Sequence, residues 1–313
     1  MLTAVLFVYA VLPGLAVDDA DLTPNQRLER RHDARTAGLQ ALAGAVLALG
    51  GAFTAFSILS NREAQLDERF ARSLDLLADK DPYVARGAVY SLERIAAQSS
   101  FDRTAVVDVL AGYLRDRNPV DRGKAFKKAG SEAEAALNVL SRVKELPGSP
   151  IPKLHGTDWK KRQLPGQNLS GVLFTDANFE EADLTGADLR NATLTRAKLR
   201  GAELKGADLR GANLALADLT DVLLMDARLS GAYLGGATLM EALVMEGTEL
   251  DGTDFGAADL EGFQILGADL SRATLNFAMT AGARYTPPTV FPNGFNPDAH
   301  GMKCEYEAET SPH

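Results

Sequence analysis

A chain of 313 residues, 46% of them hydrophobic, is long enough for two or three domains with sizeable cores. Its formal net charge of -9 argues against a general grip on nucleic acid, which needs a basic surface. The single cysteine, Cys304, excludes an intrachain disulfide and a cysteine-held metal cluster. The four histidines, His32, His155, His300 and His313, are scattered and read as surface residues.

The first segment, MLTAVLFVYAVLPGLAV, is apolar but short and is interrupted by Pro13 and Gly14. Gly14-Leu15-Ala16 could serve as a signal-peptidase site, yet no Lys or Arg precedes it, so a short transmembrane helix is preferred. Between Arg35 and Arg62 no residue is charged, a run longer than the roughly 20 residues that cross a bilayer. Residues 1–60 are therefore expected to be an anchor. Two apolar helices would be joined by a connection at Asp18–Arg35, and residues 36–60 would meet membrane lipid. Arg27, Arg30, Arg31 and Arg35 would hold the connection inside, whereas Arg62, Arg69 and Arg72 pull the other way. The soluble parts are assigned to the cytoplasmic side of a bacterial membrane with that orientation left open.

Residues 61–146 read as a helical module. Leu66, Phe70, Leu74 and Leu77 mark one helix face. In DPYVARGAVYSLERIAAQ, Asp81 is placed to cap a second helix and Pro82 to open it, with Val84, Val89, Leu92 and Ile95 as the buried stripe. Val106, Leu110 and Tyr113 mark a third. Ser131 with Glu134 predicts a capping box for a fourth, whose apolar side is Ala135, Leu137 and Leu140. The second helix resembles one HEAT-type element, which cannot form a solenoid alone, so the module is expected to pack on itself and on the domain that follows. PGSPIPK, 147–153, reads as a linker.

From 154 to 285 a large apolar residue recurs every fifth position, from Trp159 and Leu164 through Leu204, Leu209 and Leu214 to Val244. Ala sits two places before most of these, and polar residues fill the rest. Neither a helix nor a strand has that period. It suits a short edge followed by a corner, with the large side chain on an axis, the small one where backbones approach, and Gly at tight turns. EADLT, GADLR, GAELK and GANLA resemble the A-[DN]-L-x-x unit of the pentapeptide-repeat family. The resemblance implies a mainly β fold, a right-handed quadrilateral β-helix with four pentapeptides per coil. The upstream segments DLTPNQRLERRHDARTAGLQALAG and DPYVARGAVYSLERIA resemble membrane-anchored, actinobacterial-type members.

The period slips once, between Val244 and Leu250, then resumes at Phe255, Leu260, Ile265, Leu270 and Leu275. A bulged corner is expected near Glu246–Gly247, with a distorted coil after it. Thr248, Thr253 and Phe263 stand where Ala is usual. In the cap and tail, 286–313, Phe291 and Phe295 are expected to plug the last coil, with 303–313 frayed.

No catalytic, cofactor-binding or metal-binding constellation stands out, so no enzyme is expected. Arg190, Arg196, Lys198, Arg200, Lys205 and Arg210 make one basic stretch, and an acidic one follows from Asp218 to Asp269. Some relatives in the resembling family imitate duplex DNA and bind DNA gyrase. That alternative needs continuous carboxylates, which the basic stretch interrupts. The leading expectation is a membrane-anchored, protein-binding scaffold. A four-sided coil would stack Leu223 on Leu243 and Met225 on Met245, with Leu266 extending the face past the slip. This candidate interface would dock a protein partner, a second copy or the chain's own helical module.

Overall fold

The structure, a computed structural model, describes residues 23–117, 119–120 and 130–305. Its contacts divide the chain into two units, Met1–Arg69 and Phe70–His313. The first apolar segment and the residues after 305 lie outside the described residues.

Helix α1, Pro24–Leu77, has 54 residues and is unbroken. At about 1.5 Å per residue it is roughly 80 Å long. The connection expected at Asp18–Arg35 is thus helix from Pro24 onward. Pro24 opens the first turn, and PNQRLERRHDAR then supplies good helix formers with no Gly to break it. The helix also runs through 60 and 61 without a break. No hairpin is seen among the described residues. Within α1, Thr36–Ser57 forms one stretch of 22 residues with mean hydropathy 1.7, and most of its described residues are exposed. Leu47, Leu49, Phe53 and Phe56 are exposed. Thr54 Oγ1 donates to Gly50 O at 2.8 Å and Thr36 Oγ1 to His32 O at 2.9 Å, so both hydroxyls are satisfied by the helix itself.

In the second unit, α2 (Pro82–Gln98) begins as its sequence demands. Asp81 is the N-cap, its carboxylate accepting the Tyr83 N–H at 2.8 Å, and Pro82 follows it. The buried stripe holds Ala85, Ala88 and Ala96 beside Val89, Leu92 and Ile95, while Val84 is half-buried. Helix α3 spans Arg103–Arg117 and α4 spans Ser131–Val143. The capping box does not form. Gly130, in extended backbone, is the N-cap, so Ser131 is already the first helical residue. Glu132 reaches back instead, its Oε1 accepting the Gly130 N–H at 3.0 Å. Glu134 points to the next domain and pairs with Arg162 at 2.9 Å.

The remainder is a solenoid. Isolated parallel bridges join Asp183 to Glu203, Glu203 to Leu223, and Leu223 to Leu243. The same advance of twenty residues holds on the other three sides, as in Asp188 to Asp208 and Thr193 to Asn213. Four five-residue edges therefore close one coil. Leu204 N–H donates to Leu223 O at 3.0 Å and Gly206 N–H to Met225 O at 2.9 Å, so each coil is sewn to the next. Trp159, Leu164 and the large residues through Val244 are buried on the axis, and the alanines two places before them are buried as well. The corner residue, two places after the axis residue, has positive φ: 63° at Gly206, 58° at Leu216, 60° at Asp221. Gly suits that region, and other residues hold it at a small cost in strain.

The slip lies where the sequence placed it. Bridge spacing changes from Leu223↔Leu243 to Arg228↔Glu249, one residue longer, and Gly247 takes φ 95°. Thr248 compensates. Its Oγ1 donates to Leu224 O at 3.0 Å and accepts from Met245 N–H at 3.3 Å. Thr253 Oγ1 donates likewise to Leu229 O at 2.9 Å. Past the slip, one side has a four-stranded parallel ladder of β1 (Leu243–Met245), β2 (Gln264–Leu266), β3 (Arg284–Tyr285) and β4 (Lys303–Cys304). Residues 303–304, expected to fray, are therefore paired, because Lys303 N–H reaches Ala283 O at 2.7 Å.

One apolar core runs from Leu77 through the helices and along the axis to Met302. At its first end the helices cover the opening coil. Val120 N–H donates to Gly156 O at 2.8 Å. The Lys144 ammonium, whose side chain is only 7% exposed, donates to Asn168 Oδ1 and Ser170 O at 2.7 Å and to Ser170 Oγ at 2.6 Å. Burial pulls its pKa below the ordinary lysine value, and Glu145 opposes that. At the other end Phe291 and Phe295 pack on the core, Phe291 edge-on to Tyr285 and stacked with Phe295.

Candidate interaction surface

Each edge presents two outward side chains, one before and one after the axis residue. The residue before it is most often Asp or Asn, and its role is local. Asp183, Asp188, Asp208, Asp218 and Asp259 each accept, through Oδ1, the N–H two residues on, at 2.9 to 3.2 Å. The carboxylate thus locks the corner that follows it, as Asx turns do. In sequence these acids read only as the polar residues that fill the positions between the axis residues. The signal that identifies the lock is their fixed place directly before leucine.

Six successive edges, from Leu223 to Glu249, lack that lock: Leu223, Arg228, Tyr233, Thr238, Leu243 and Glu249 occupy its position. Two of the six are the leucines singled out from sequence. The pairings set Leu223 beside Leu243, Leu243 beside Gln264, and Met245 beside Leu266. Leu223 is 37% exposed, and Met225, Leu243, Met245 and Leu266 are half-buried. All five share one side of the solenoid. The helices α2–α4 sit on the opening coil and leave this side uncovered among the described residues.

The charge division read along the chain does not persist in space. Arg196 grips Asp176 of the preceding coil at 2.7 and 2.8 Å. Asp208 receives Arg210 at 2.6 Å and lies 3.8 Å from Arg190 and 3.6 Å from Arg228. Arg200 lies 3.5 Å from Asp221. Stacking coils thus bring Arg196 and Arg200 to acids about one coil away, while Arg190 and Arg210 pair with Asp188 and Asp208 two residues before them.

These guanidinium hydrogen bonds hold the Asp176, Asp188 and Asp208 carboxyls below their usual range. A depressed carboxyl pKa means that the unfolded chain binds the proton more tightly. The stabilisation is complete above about pH 4 and is lost as pH falls through the folded values. The melting temperature is expected to be flat between about pH 5 and 7 and to drop at about pH 3. Thermal circular-dichroism melts across that range check this, and a flat profile to acid would refute it.

Among the described residues no group of three or more His, Cys, Asp and Glu could hold a metal ion. Open grooves among the described residues include one of about 340 Å³ beside Glu249 and Arg272 and one of about 420 Å³ beside Phe277 and Phe295. Neither lies on the side of Leu223.

The family model for pentapeptide repeats matches residues 168–206 and 202–239, in eight copies. Residues 168–239 of the solenoid are pentapeptide repeats. Pentapeptide-repeat proteins form right-handed quadrilateral β-helices, and the four-edged coil agrees with that description. Solved structures similar to this chain include QnrB1, a plasmid-mediated fluoroquinolone resistance protein. It shares 24% identity over 49% of this chain and 80% of that one, with a TM-score of 0.35. A pentapeptide repeat protein of the Arabidopsis thaliana thylakoid lumen shares 33% identity over 33% and 65%, with a TM-score of 0.22. HetL of Nostoc sp., a pentapeptide repeat protein involved in heterocyst differentiation regulation, shares 25% over 47% and 81%, with a TM-score of 0.17. No curated protein sequence matches the chain.

Proposed function

We propose that the chain is a non-enzymatic, membrane-anchored scaffold whose pentapeptide-repeat solenoid binds a protein through the Leu223–Leu266 side. The observation that carries this reading is the exchange at that side. Asp or Asn, which would lock the corner, gives way to Leu223 and Leu243, whose side chains contribute nothing to the axis. Apolar side chains gathered on a rigid surface at the expense of local stability suit a contact. Thr36–Ser57 supports the anchor, since a largely exposed apolar helix of that length is at home in a bilayer.

The double variant Leu223→Asp/Leu243→Asp tests the surface. Asp is the repeat's own choice at both positions, so the fold is expected to keep its melting temperature within a few degrees. Partner labelling by a proximity ligase fused to the chain should fall by about tenfold, which corresponds to roughly 1.4 kcal/mol of lost binding. An unchanged labelling pattern would remove this surface from the reading. Fractionation tests the anchor separately: full-length protein that stays soluble without detergent is incompatible with it.

The acidic residues from Asp218 onward favour a second reading, a DNA-like surface directed at a topoisomerase such as DNA gyrase. It ranks lower because Arg228 and Arg272 pair with Glu249 and Asp251 and break the carboxylate series. Inhibition of gyrase supercoiling by the full-length chain would promote it.

A further inference from the structure

The side that carries Leu223 has charged edges. Its edge residues run from one corner to the next, and the corners before it in two successive coils are Asp221 and Glu241. The corners after it are Asp226 and the slip corner Gly247, which Glu246 directly precedes. Asp221, Glu241, Asp226 and Glu246 are all exposed. Asp226 stacks under the slip corner, its Oδ1 only 2.9 Å from where a side chain on Gly247 would begin, and Glu246 stands beside Gly267 of the next coil. Asp221 has Arg200 at 3.5 Å, while Asp226, Glu241 and Glu246 make no ion pair among the described residues. The Leu–Met stripe therefore lies between two acidic columns.

That arrangement discriminates among occupants. A nucleic acid or an anionic lipid surface would be repelled by both columns. A second copy docked face to face would bring like charges together. Strand addition needs unpaired backbone, and here the coils have used theirs: Leu224 N–H donates to Leu243 O at 2.9 Å and Leu243 N–H to Val222 O at 3.0 Å. Side-chain docking remains. From Glu241 to Glu246 an extended chain at about 3.3 Å per residue spans at most roughly 16 Å. A helix of about 10–12 Å diameter fits between such columns.

We propose that this side receives a cationic amphipathic helix, its apolar face on Leu223, Met225, Leu243 and Met245 and its lysines or arginines over the acidic columns. The inference rests on the scaffold reading and names the chemistry of the partner. Full-length chain in nanodiscs of zwitterionic phosphatidylcholine would be titrated into a fluorescent Leu/Lys amphipathic peptide of roughly 15 residues. A Leu/Glu peptide of the same pattern and a scrambled Leu/Lys peptide serve as comparisons. The patterned Leu/Lys peptide should bind at least about tenfold more tightly than either. Asp226→Asn/Glu241→Gln/Glu246→Gln, and separately Leu223→Asp/Leu243→Asp, should each weaken it by about tenfold. Asp254→Asn/Asp259→Asn/Asp269→Asn removes as much charge from other sides and should leave binding within about twofold. Equal weakening by this last variant would reduce the effect to bulk charge attraction and overturn the inference. So would binding that ignores the corner variants. If the Leu/Lys peptide shows no preference but sedimentation finds self-association lost in Leu223→Asp/Leu243→Asp, this inference falls while the scaffold reading stands. If peptide binding, self-association and proximity labelling all ignore that variant, both fall.

Discussion

Leu209→Ala is expected to destabilise the solenoid by about 3–4 kcal/mol, within the range for a fully buried leucine whose site cannot collapse. Leu209 has no exposed surface. Coil stacking puts Leu189 and Leu229 in neighbouring layers, since Asp188 pairs with Asp208 and Asp208 with Arg228. The walls cannot close on the hole because they are backbone, held by bonds such as Leu209 N–H to Arg228 O at 2.7 Å. The loss is therefore transfer free energy plus a persistent cavity. Urea unfolding followed by circular dichroism measures it. A change below about 1 kcal/mol would mean that the axis residues are not what holds the coils.

Lys144→Ala is expected to cost about 2–3 kcal/mol and to loosen the helices before the solenoid. Three half-buried acceptors, Asn168 Oδ1, Ser170 O and Ser170 Oγ, lose their shared donor. Asn168 Oδ1 keeps the Ser170 hydroxyl and N–H as donors, but Ser170 O and Oγ lose the ammonium, and leaving a half-buried acceptor without its donor costs more than the hydrogen bond itself contributes. Trp159 makes the event visible. It is the chain's one tryptophan, wholly buried in the opening coil, with its indole N–H donating to Thr157 Oγ1 at 2.7 Å. Its emission should shift to the red at a lower urea concentration than the far-ultraviolet signal changes. Coincident transitions at the wild-type midpoint would show that Lys144 does not fasten the helices.

Much of the architecture was legible because its cause is local and repeats. Leu204 and Leu209 must reach a common axis, Ala202 and Ala207 must leave room, and a lapse in the period at Glu246–Gly247 can only be a bulge. Asp81 and Pro82 announced a helix start for equally local reasons. The misreadings come from choices that neighbouring residues do not settle. Ser131 was available as a cap, but Gly130 takes the extended backbone and Glu132 closes the turn. Residues 24–35 contain charges that suit a loop as well as a helix, and no nearby glycine decides between them. The acids before each leucine look solvated until the corner N–H they accept is seen. Asp176 finds Arg196 only once a coil has closed. For the candidate interface, the period correctly aligned Leu223 with Leu243. Its cover could not be read from sequence, because which end of a rod a helical module chooses depends on shapes formed late. Lys144 and Glu134 commit the module to the opening coil.

The four-edged coil also sets rules for how such a chain can lengthen or shorten during evolution. Deleting or duplicating a single pentapeptide leaves a foldable rod, yet everything downstream turns by one quarter, carrying Leu243 and Met245 off the side that holds Leu223. Only changes in multiples of a whole coil preserve the stripe. Each coil gained would displace the far end by about 4.8 Å without rotating it. The extra residue at Glu246–Gly247 escapes this rule because it is absorbed within one corner. Leu243 still pairs with Gln264, so phase is conserved although the count has changed. Natural variants of this protein should therefore differ by twenties, or by ones at corners, and seldom by fives.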